Sequence, residues 1–235
     1  MRKNGVQALL MGGQACVFYG AAEFSRDLDL LILVDAANLA RLRQALDELD
    51  AQPIAVPPFA QQFLEAGHAI HFRCRRPDVA GLRIDLMARL RGMGGFEELW
   101  QRRTTIETET QAIDLLGLED LVCAKKSQRD KHWPMIRRLV EQHYFQHRNE
   151  PTPGQIRFWL RELRTARLLL SVVEVWPLET DREVGQRPAV SAAIGGSEER
   201  VAEHLELEEK QERDRDRLYW QPLRRELEEL QRGMR

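Results

Sequence analysis

The densest apolar run near the N-terminus is Leu28-Asp29-Leu30-Leu31-Ile32-Leu33-Val34. One acid interrupts it, and the run predicts a buried strand over 28–34. Upstream, an apolar stretch at 6–10 meets Gly12-Gly13, and Ala15-Cys16-Val17-Phe18-Tyr19 follows. That order predicts strand, tight turn, helix. Downstream, Leu39, Leu42, Leu46 and Leu49 recur at helical spacing and predict a helix over 38–50, ended by Pro53, Pro57 and Pro58. Residues 69–74 and 81–88 read as two strands around Pro77-Asp78. In the second, Leu82, Ile84 and Leu86 alternate with Arg83, Asp85 and Met87.

The second half reads as helical. Helices are predicted over 95–103 and over 118–148, the latter with a break near Pro134. Glu150-Pro151-Thr152-Pro153-Gly154 is the strongest boundary signal. It divides the chain into an α/β domain over 1–149, which includes the basic helix, and a helical accessory region over 150–235. Within that region Ile156, Leu160, Leu163 and Leu170 mark a helix to about 175. Residues 181–197, with Gly185, Pro188 and Gly195-Gly196, read as a loop, and a highly charged helix fills 198–232. No internal repeat or low-complexity tract is present.

Composition narrows the class. A chain of 235 residues with 43% hydrophobic content can bury one sizeable α/β core and an accessory region. The net charge of −2 excludes a polycation that binds nucleic acid indiscriminately, so any attraction for phosphate must be local. Cys16, Cys74 and Cys123 are far apart and make no zinc spacing. With no signal-peptide layout and no apolar run near the ~20 residues that span a bilayer, the expectation is a cytoplasmic protein with no membrane partner.

The candidate chemistry lies in three places. Gly12-Gly13, between strand and helix, lets the backbone approach phosphate oxygens, although a glycine pair can also simply turn a corner. Asp27 and Asp29 are two apart at the head of a strand, so their side chains share a face. There they repel and lose hydration, a conflict that a divalent cation resolves; a solvated strand-end pair is the alternative. Asp85 is a lone acid in an apolar strand. It is an outward-facing residue, a partner of Arg83 or Arg73, or the third carboxylate of a site able to hold two metals.

The stretch Gly12-Gly13-Gln14-Ala15, then Tyr19-Gly20, then Ser25-Arg26-Asp27-Leu28-Asp29-Leu30-Leu31-Ile32 resembles the signature of the polymerase β-like nucleotidyltransferase superfamily. Its nearest subgroup is the small bacterial enzymes that include AbiE-type toxin nucleotidyltransferases. The resemblance covers roughly residues 5–148, and Asp85 in Arg83-Ile84-Asp85-Leu86 matches the third acid. It implies a nucleotidyltransferase fold, a mixed sheet flanked by helices, with a helical C-terminal region beyond. It also implies a toxin-type enzyme that uses Mg²⁺ (or Mn²⁺) to move NMP from an NTP such as ATP to an acceptor hydroxyl on RNA (a tRNA end), a protein or a small molecule. Asp27, Asp29 and Asp85 would be the catalytic metal ligands, with Gly12, Gly13 and Ser25 on the nucleotide phosphates. Lys125 and Arg129 in Lys125-Lys126-Ser127-Gln128-Arg129 match the subgroup's phosphate-facing helix; as an i, i+4 pair they share a helix face. Residues 121–148 hold seven Lys or Arg against two acids, which fits that role. A solvated face with a Lys126–Asp130 ion pair is the alternative.

Two positions depart from the pattern. Glu23 stands where relatives often carry a base, and His132 where many carry an acid. The rival reading is therefore a catalytically degenerate relative that binds nucleotide or a partner. Under either, the C-terminal helices offer a surface for an antitoxin-type or self partner. His143 and His147 have i, i+4 spacing, but without an accompanying acid motif they read as surface histidines rather than a zinc pair.

Overall fold

A mixed, seven-stranded sheet carries the N-terminal half of the protein. In chain order its unit contains β1 (Ala8–Met11), α1 (Gly12–Phe18), β2 (Asp27–Ile32), α2 (Ala36–Glu48), β3 (Ala51–Pro53), α3 (Gln61–Ala66), β4 (Ile70–Cys74), β5 (Arg83–Met87), α4 (Phe96–Gln101), β6 (Thr104–Glu107), β7 (Ala112–Leu115) and α5 (Leu118–Lys125). The strand order is β3-β4-β5-β2-β1-β7-β6. β2–β5 and β1–β7 are parallel and the other pairs antiparallel. The computed structural model describes residues 1–109 and 111–233 and resolves them into two units. The first is Met1–Ala124 with the chain from Leu218 onward, and the second is Lys125–Arg217.

β2 lies at the centre because its C-terminal half is apolar on both faces. Leu31 and Ile32 are fully buried, as are Leu9 of β1 and Ile84 and Leu86 of β5. Each such side chain contributes about 1.5–3 kcal/mol relative to exposure. The N-terminal half of the same strand is only partly covered, and that is where Asp27 and Asp29 stand. The predicted helix over 38–50 is α2, capped by Asp35, whose carboxylate accepts from the Asn38 amide at 2.7 Å.

Three strands were not foreseen. β3 is hidden by its own proline, and β6 and β7 are four residues each, too short for a periodic signal.

The second unit holds α6 (His132–His147), α7 (Pro153–Glu162), α8 (Ala166–Val175), α9 (Pro177–Glu183), α10 (Pro188–Ile194) and the first part of α11 (Glu198–Gly233), whose remainder belongs to the first unit. The predicted 118–148 helix is broken at 126–131, not at Pro134, which falls in the first turn of α6 where a missing N–H costs little. Side chains stabilise the break. Trp133 Nε1 donates to the Ser127 carbonyl at 2.9 Å, and the Gln128 amide donates to Asp216 at 3.0 Å. The single helix expected to 175 is two, α7 and α8. The expected loop at 181–197 is largely helical, because Ala189, Val190, Ala192 and Ala193 bury one face of α10. The boundary signal at 150–154 lies inside this unit, where Thr152 and Gln155 form a capping box that starts α7. Arg187 ties the unit together. It forks onto Glu208 at 2.9–3.1 Å and donates to the Leu160 and Leu163 carbonyls.

Candidate active site

Strand register places the three aspartates together on one sheet face. Asp29 is directly opposite Asp85 in the parallel β2–β5 pair, and Asp27 is opposite Arg83. Alternation puts Asp27 and Asp29 on the same side of β2, and Arg83 and Asp85 on the same side of β5. His71 of β4 stands opposite Asp85 on the other flank. From edge to centre, this face therefore presents His71, then Asp85 beside Arg83, then Asp29 beside Asp27.

The glycine turn closes onto these acids. Gly12 has φ +68°, and a Cβ there would lie 1.8 Å from Oδ2 of Asp29. Only glycine permits both the conformation and the approach. The Gly13 amide points at the same oxygen at 3.4 Å, and a Cβ on Gly13 would meet Ser25 Oγ at 2.4 Å. Gln14 Nε2 donates to the Ser25 carbonyl at 2.7 Å and so fixes the segment that enters β2. Gly12, Gly13, Ser25, Asp27 and Asp29 thus form one continuous piece of surface, with Asp85 as its neighbour.

Asp85 is the most engaged acid. Arg83 Nε donates to its Oδ1 at 2.7 Å, and His71 Nδ1 lies 2.8 Å from the same oxygen. Burial pushes the carboxyl up, but the hydrogen bonds from His71 and Arg83 outweigh it and hold the group below the ordinary aspartate value. The Arg83 guanidinium is raised, first by its bond to Asp85 and then by the charges of Asp85, Asp27 and Asp29. Arg83 is thus the internal counter-charge for all three carboxylates.

The expected three-carboxylate metal cluster is not drawn together. Among the described residues, no three His, Cys, Asp or Glu side chains are gathered closely enough to hold a metal ion. The physical reason is local: three like charges repel, and Asp85 satisfies itself on Arg83 and His71 instead. Asp27 and Asp29 remain a pair of hard-oxygen donors on one strand face, packed against a backbone that only glycine allows. That donor set fits Mg²⁺, which takes one or two carboxylates plus phosphate oxygens.

Lys125 and Arg129 do not share a helix face, because α5 ends at Lys125 and Arg129 lies in the following connection. Lys125 is 5% exposed, and its ammonium has no hydrogen-bond or ion-pair partner among the described residues. The expected alternative, a Lys126–Asp130 pair, is absent: Lys126 binds Glu162 at 2.7 Å, and Asp130 binds Arg213. His132 is held as a structural group. Burial, and after it the charges of Lys125, Arg129 and Lys131, lower it to about 3, and its Nδ1 is hydrogen-bonded with Ser127 Oγ at 2.7 Å. His143 accepts from Trp159 Nε1 on Nδ1 at 2.9 Å, and burial followed by His147 lowers it to about 4. Its neutral ring must then carry its proton on Nε2, which leaves no lone pair for zinc.

Sequence reasoning missed His71. The alternation Ile70-His71-Phe72-Arg73-Cys74 marks it as a polar-face residue, but only the β4–β5 register shows that it meets Asp85.

No protein-family model matches the chain, and no characterised protein matches it in sequence. Among solved structures, an antigenic nucleotidyltransferase-like protein from Paracoccidioides brasiliensis is similar over 83% of this chain and 86% of its own, at 19% identity and a TM-score of 0.39. That likeness is weak and carries no functional weight. Among the described residues, no helix is long and apolar enough to cross a membrane.

Proposed function

We propose that the protein is a nucleotidyltransferase that moves NMP from an NTP, ATP included, to an acceptor hydroxyl with release of pyrophosphate. The observation that carries this reading is the juxtaposition of the Asp27–Asp29 pair with the Gly12–Gly13 turn, whose missing Cβ lets the backbone lie against Asp29. Asp27 and Asp29 would hold Mg²⁺ or Mn²⁺, which when bound neutralises the triphosphate and polarises the reacting phosphorus. Gly13 N–H and Ser25 Oγ supply donors for phosphate oxygens. Lys125 is proposed as a further phosphate contact on the sequence resemblance. Arg129, exposed, is proposed as an outer phosphate contact. Asp85 serves the acceptor side, where its negative charge favours removal of the hydroxyl proton. These residues act mainly by positioning and charge neutralisation.

The acceptor class, RNA or protein, and a toxin-type role with an antitoxin-type or self partner on the C-terminal helices, rest on the sequence resemblance. The test is incubation with each α-labelled NTP, Mg²⁺ and total cellular RNA or, separately, total cellular protein. Label is expected in one acceptor pool, and no label in either overturns the reading.

A second reading is favoured by Arg83. A guanidinium that already balances three carboxylates lets the fold keep its acids without a cation, as a degenerate nucleotide- or partner-binding protein would. That reading predicts binding of NTP with no turnover.

A further inference from the structure

Arg73 and Arg75 extend the face of the aspartates toward the sheet edge, on the side away from the glycine turn. Arg73 of β4 stands directly opposite Arg83, and Arg83 in turn stands opposite Asp27. Cross-strand partners share a face, so this row lies on the side of the sheet that carries Asp27 and Asp29. Cys74 is buried on the other side, and alternation returns Arg75 to the face of Arg73. The strand alignment holds as far as Arg75, whose amide donates to the Asp50 carbonyl at 3.0 Å. Both arginines are exposed. Arg76 forks onto Asp78 and Arg83 is spent on Asp85, but no carboxylate lies within ion-pair distance of Arg73 or Arg75 among the described residues. Like charges directly opposite each other are destabilising, and an anion lying across the Arg73–Arg83 row would offset that cost.

We infer that Arg73 and Arg75 carry the phosphate backbone of a polynucleotide strand whose terminal hydroxyl is the acceptor. This rests on the nucleotidyl-transfer reading and names its acceptor class. The sheet order separates two sets of phosphates. The Gly12–Gly13 turn follows β1 on one side of β2, where it serves the incoming triphosphate, whereas β5 and then β4 lie on the other side. Two strand spacings, about 10 Å, separate the backbones of Arg73 and Asp27, and Arg75 is about 7 Å farther along β4. A strand whose end reaches the acids therefore lays successive phosphates over Arg73 and Arg75, which meet them as charge-assisted donors. Its terminal oxygen bonds to the α-phosphorus, pyrophosphate leaves with the electron pair of the bond that breaks, and the hydroxyl proton passes to solvent. With a net charge of −2 the chain has no general affinity for polyanions, so the attraction is local to this row. A protein hydroxyl brings no repeated negative charge of its own, which is why the row favours a polynucleotide.

Two measurements decide it. The first is fluorescence anisotropy of an end-labelled, mixed-sequence RNA oligonucleotide, and of DNA of the same sequence, titrated at several salt concentrations. Arg73→Gln/Arg75→Gln is expected to bind the strand roughly tenfold more weakly than wild type and to lower the salt slope by about 1.4, the share of two phosphate contacts on a single strand. It should bind Mg·ATP within about twofold of wild type. Arg224→Gln/Arg225→Gln, at two exposed positions of α11, makes the same change in net charge and is expected to bind the strand as wild type does. Equal losses in the two double variants, or no loss in either, overturn the inference. The second measurement is transfer of label from α-labelled NTPs to the RNA strand, the DNA strand or total cellular protein. Label is expected on a polynucleotide, with Arg73→Gln/Arg75→Gln raising KM for the strand more than it lowers kcat. Label on protein alone overturns the inference but leaves nucleotidyl transfer standing, and a wild type that labels none of the three overturns both.

Discussion

Asp29 faces Asp85 across the parallel β2–β5 pair, one residue directly opposite the other. Like charges in that position are destabilising, and Arg83 offsets them from beside Asp85. Replacing Arg83 with Met should therefore cost about 1–3 kcal/mol of stability, as expected when a charged hydrogen-bond partner is lost. Millimolar Mg²⁺ should return part of the loss, because a cation can take over the role of the guanidinium. Urea unfolding of Arg83→Met with and without MgCl₂ checks this. A loss that Mg²⁺ leaves unchanged would show that the acids do not converge on a shared cation.

Gly12 and Gly81 separate strain from collision. Both have positive φ, +68° and +85°, but only at Gly12 would a Cβ meet something, Asp29 Oδ2 at 1.8 Å. Gly81→Ala should cost about 1–2 kcal/mol from backbone strain alone. Gly12→Ala should cost more and also displace the Asp29 carboxylate, weakening Mg·NTP binding. Chemical denaturation ranks the two variants, and equal losses would mean that the turn does not press on Asp29.

Asp85 gives a signed pH dependence. Its folded-state carboxyl lies below the ordinary value, so the contribution is present above the unfolded pKa of about 3.9 and is lost as pH falls through the folded one. The stability advantage of wild type over Asp85→Asn should be full at neutral pH and shrink in more acidic solution, below about pH 4. A difference that stays constant down to pH 3 would mean that neither His71 nor Arg83 favours the ionised form.

Much of this fold is readable from apolar periodicity, since β2, α2, β4, β5 and α11 follow runs or repeats long enough to show a period. What escaped did so for identifiable reasons. β3, β6 and β7 are too short, and α10 looks like a loop because Pro188 and Gly195 frame its small apolar residues. The break at 126–131 is made by long-range bonds to Asp216 and Arg213 that no local pattern contains. The site was partly legible: spacing alone puts Asp27 and Asp29 on one face, and the alternative of Asp85 paired with Arg83 is what the structure holds. The Asp29–Asp85 register and the His71 contact depend on strand order, which a single sequence does not state.

Lys125 tests the nucleotide reading away from the sheet. Lys125 is 5% exposed, whereas Lys210 on α11 is exposed. Lys125→Ala should weaken NTP binding roughly five- to a hundredfold, the equivalent of about 1–3 kcal/mol per charged hydrogen bond, while Lys210→Ala should change it little. Calorimetric titration with Mg·ATP compares them, with circular dichroism to confirm that both variants are folded. Equal affinities would mean that Lys125 does not meet the nucleotide.

The most direct measurement is Mn²⁺ binding followed by electron paramagnetic resonance, with ATP present, for wild type and Asp29→Asn. Asp29 touches the glycine turn and faces Asp85, so it is the residue on which the metal and nucleotide readings meet. The wild type should remove the free Mn²⁺ signal beyond what ATP alone removes, and Asp29→Asn, still folded, should not. If Asp29→Asn binds Mn²⁺ and ATP as the wild type does, the Asp27–Asp29 pair is not a metal–nucleotide site.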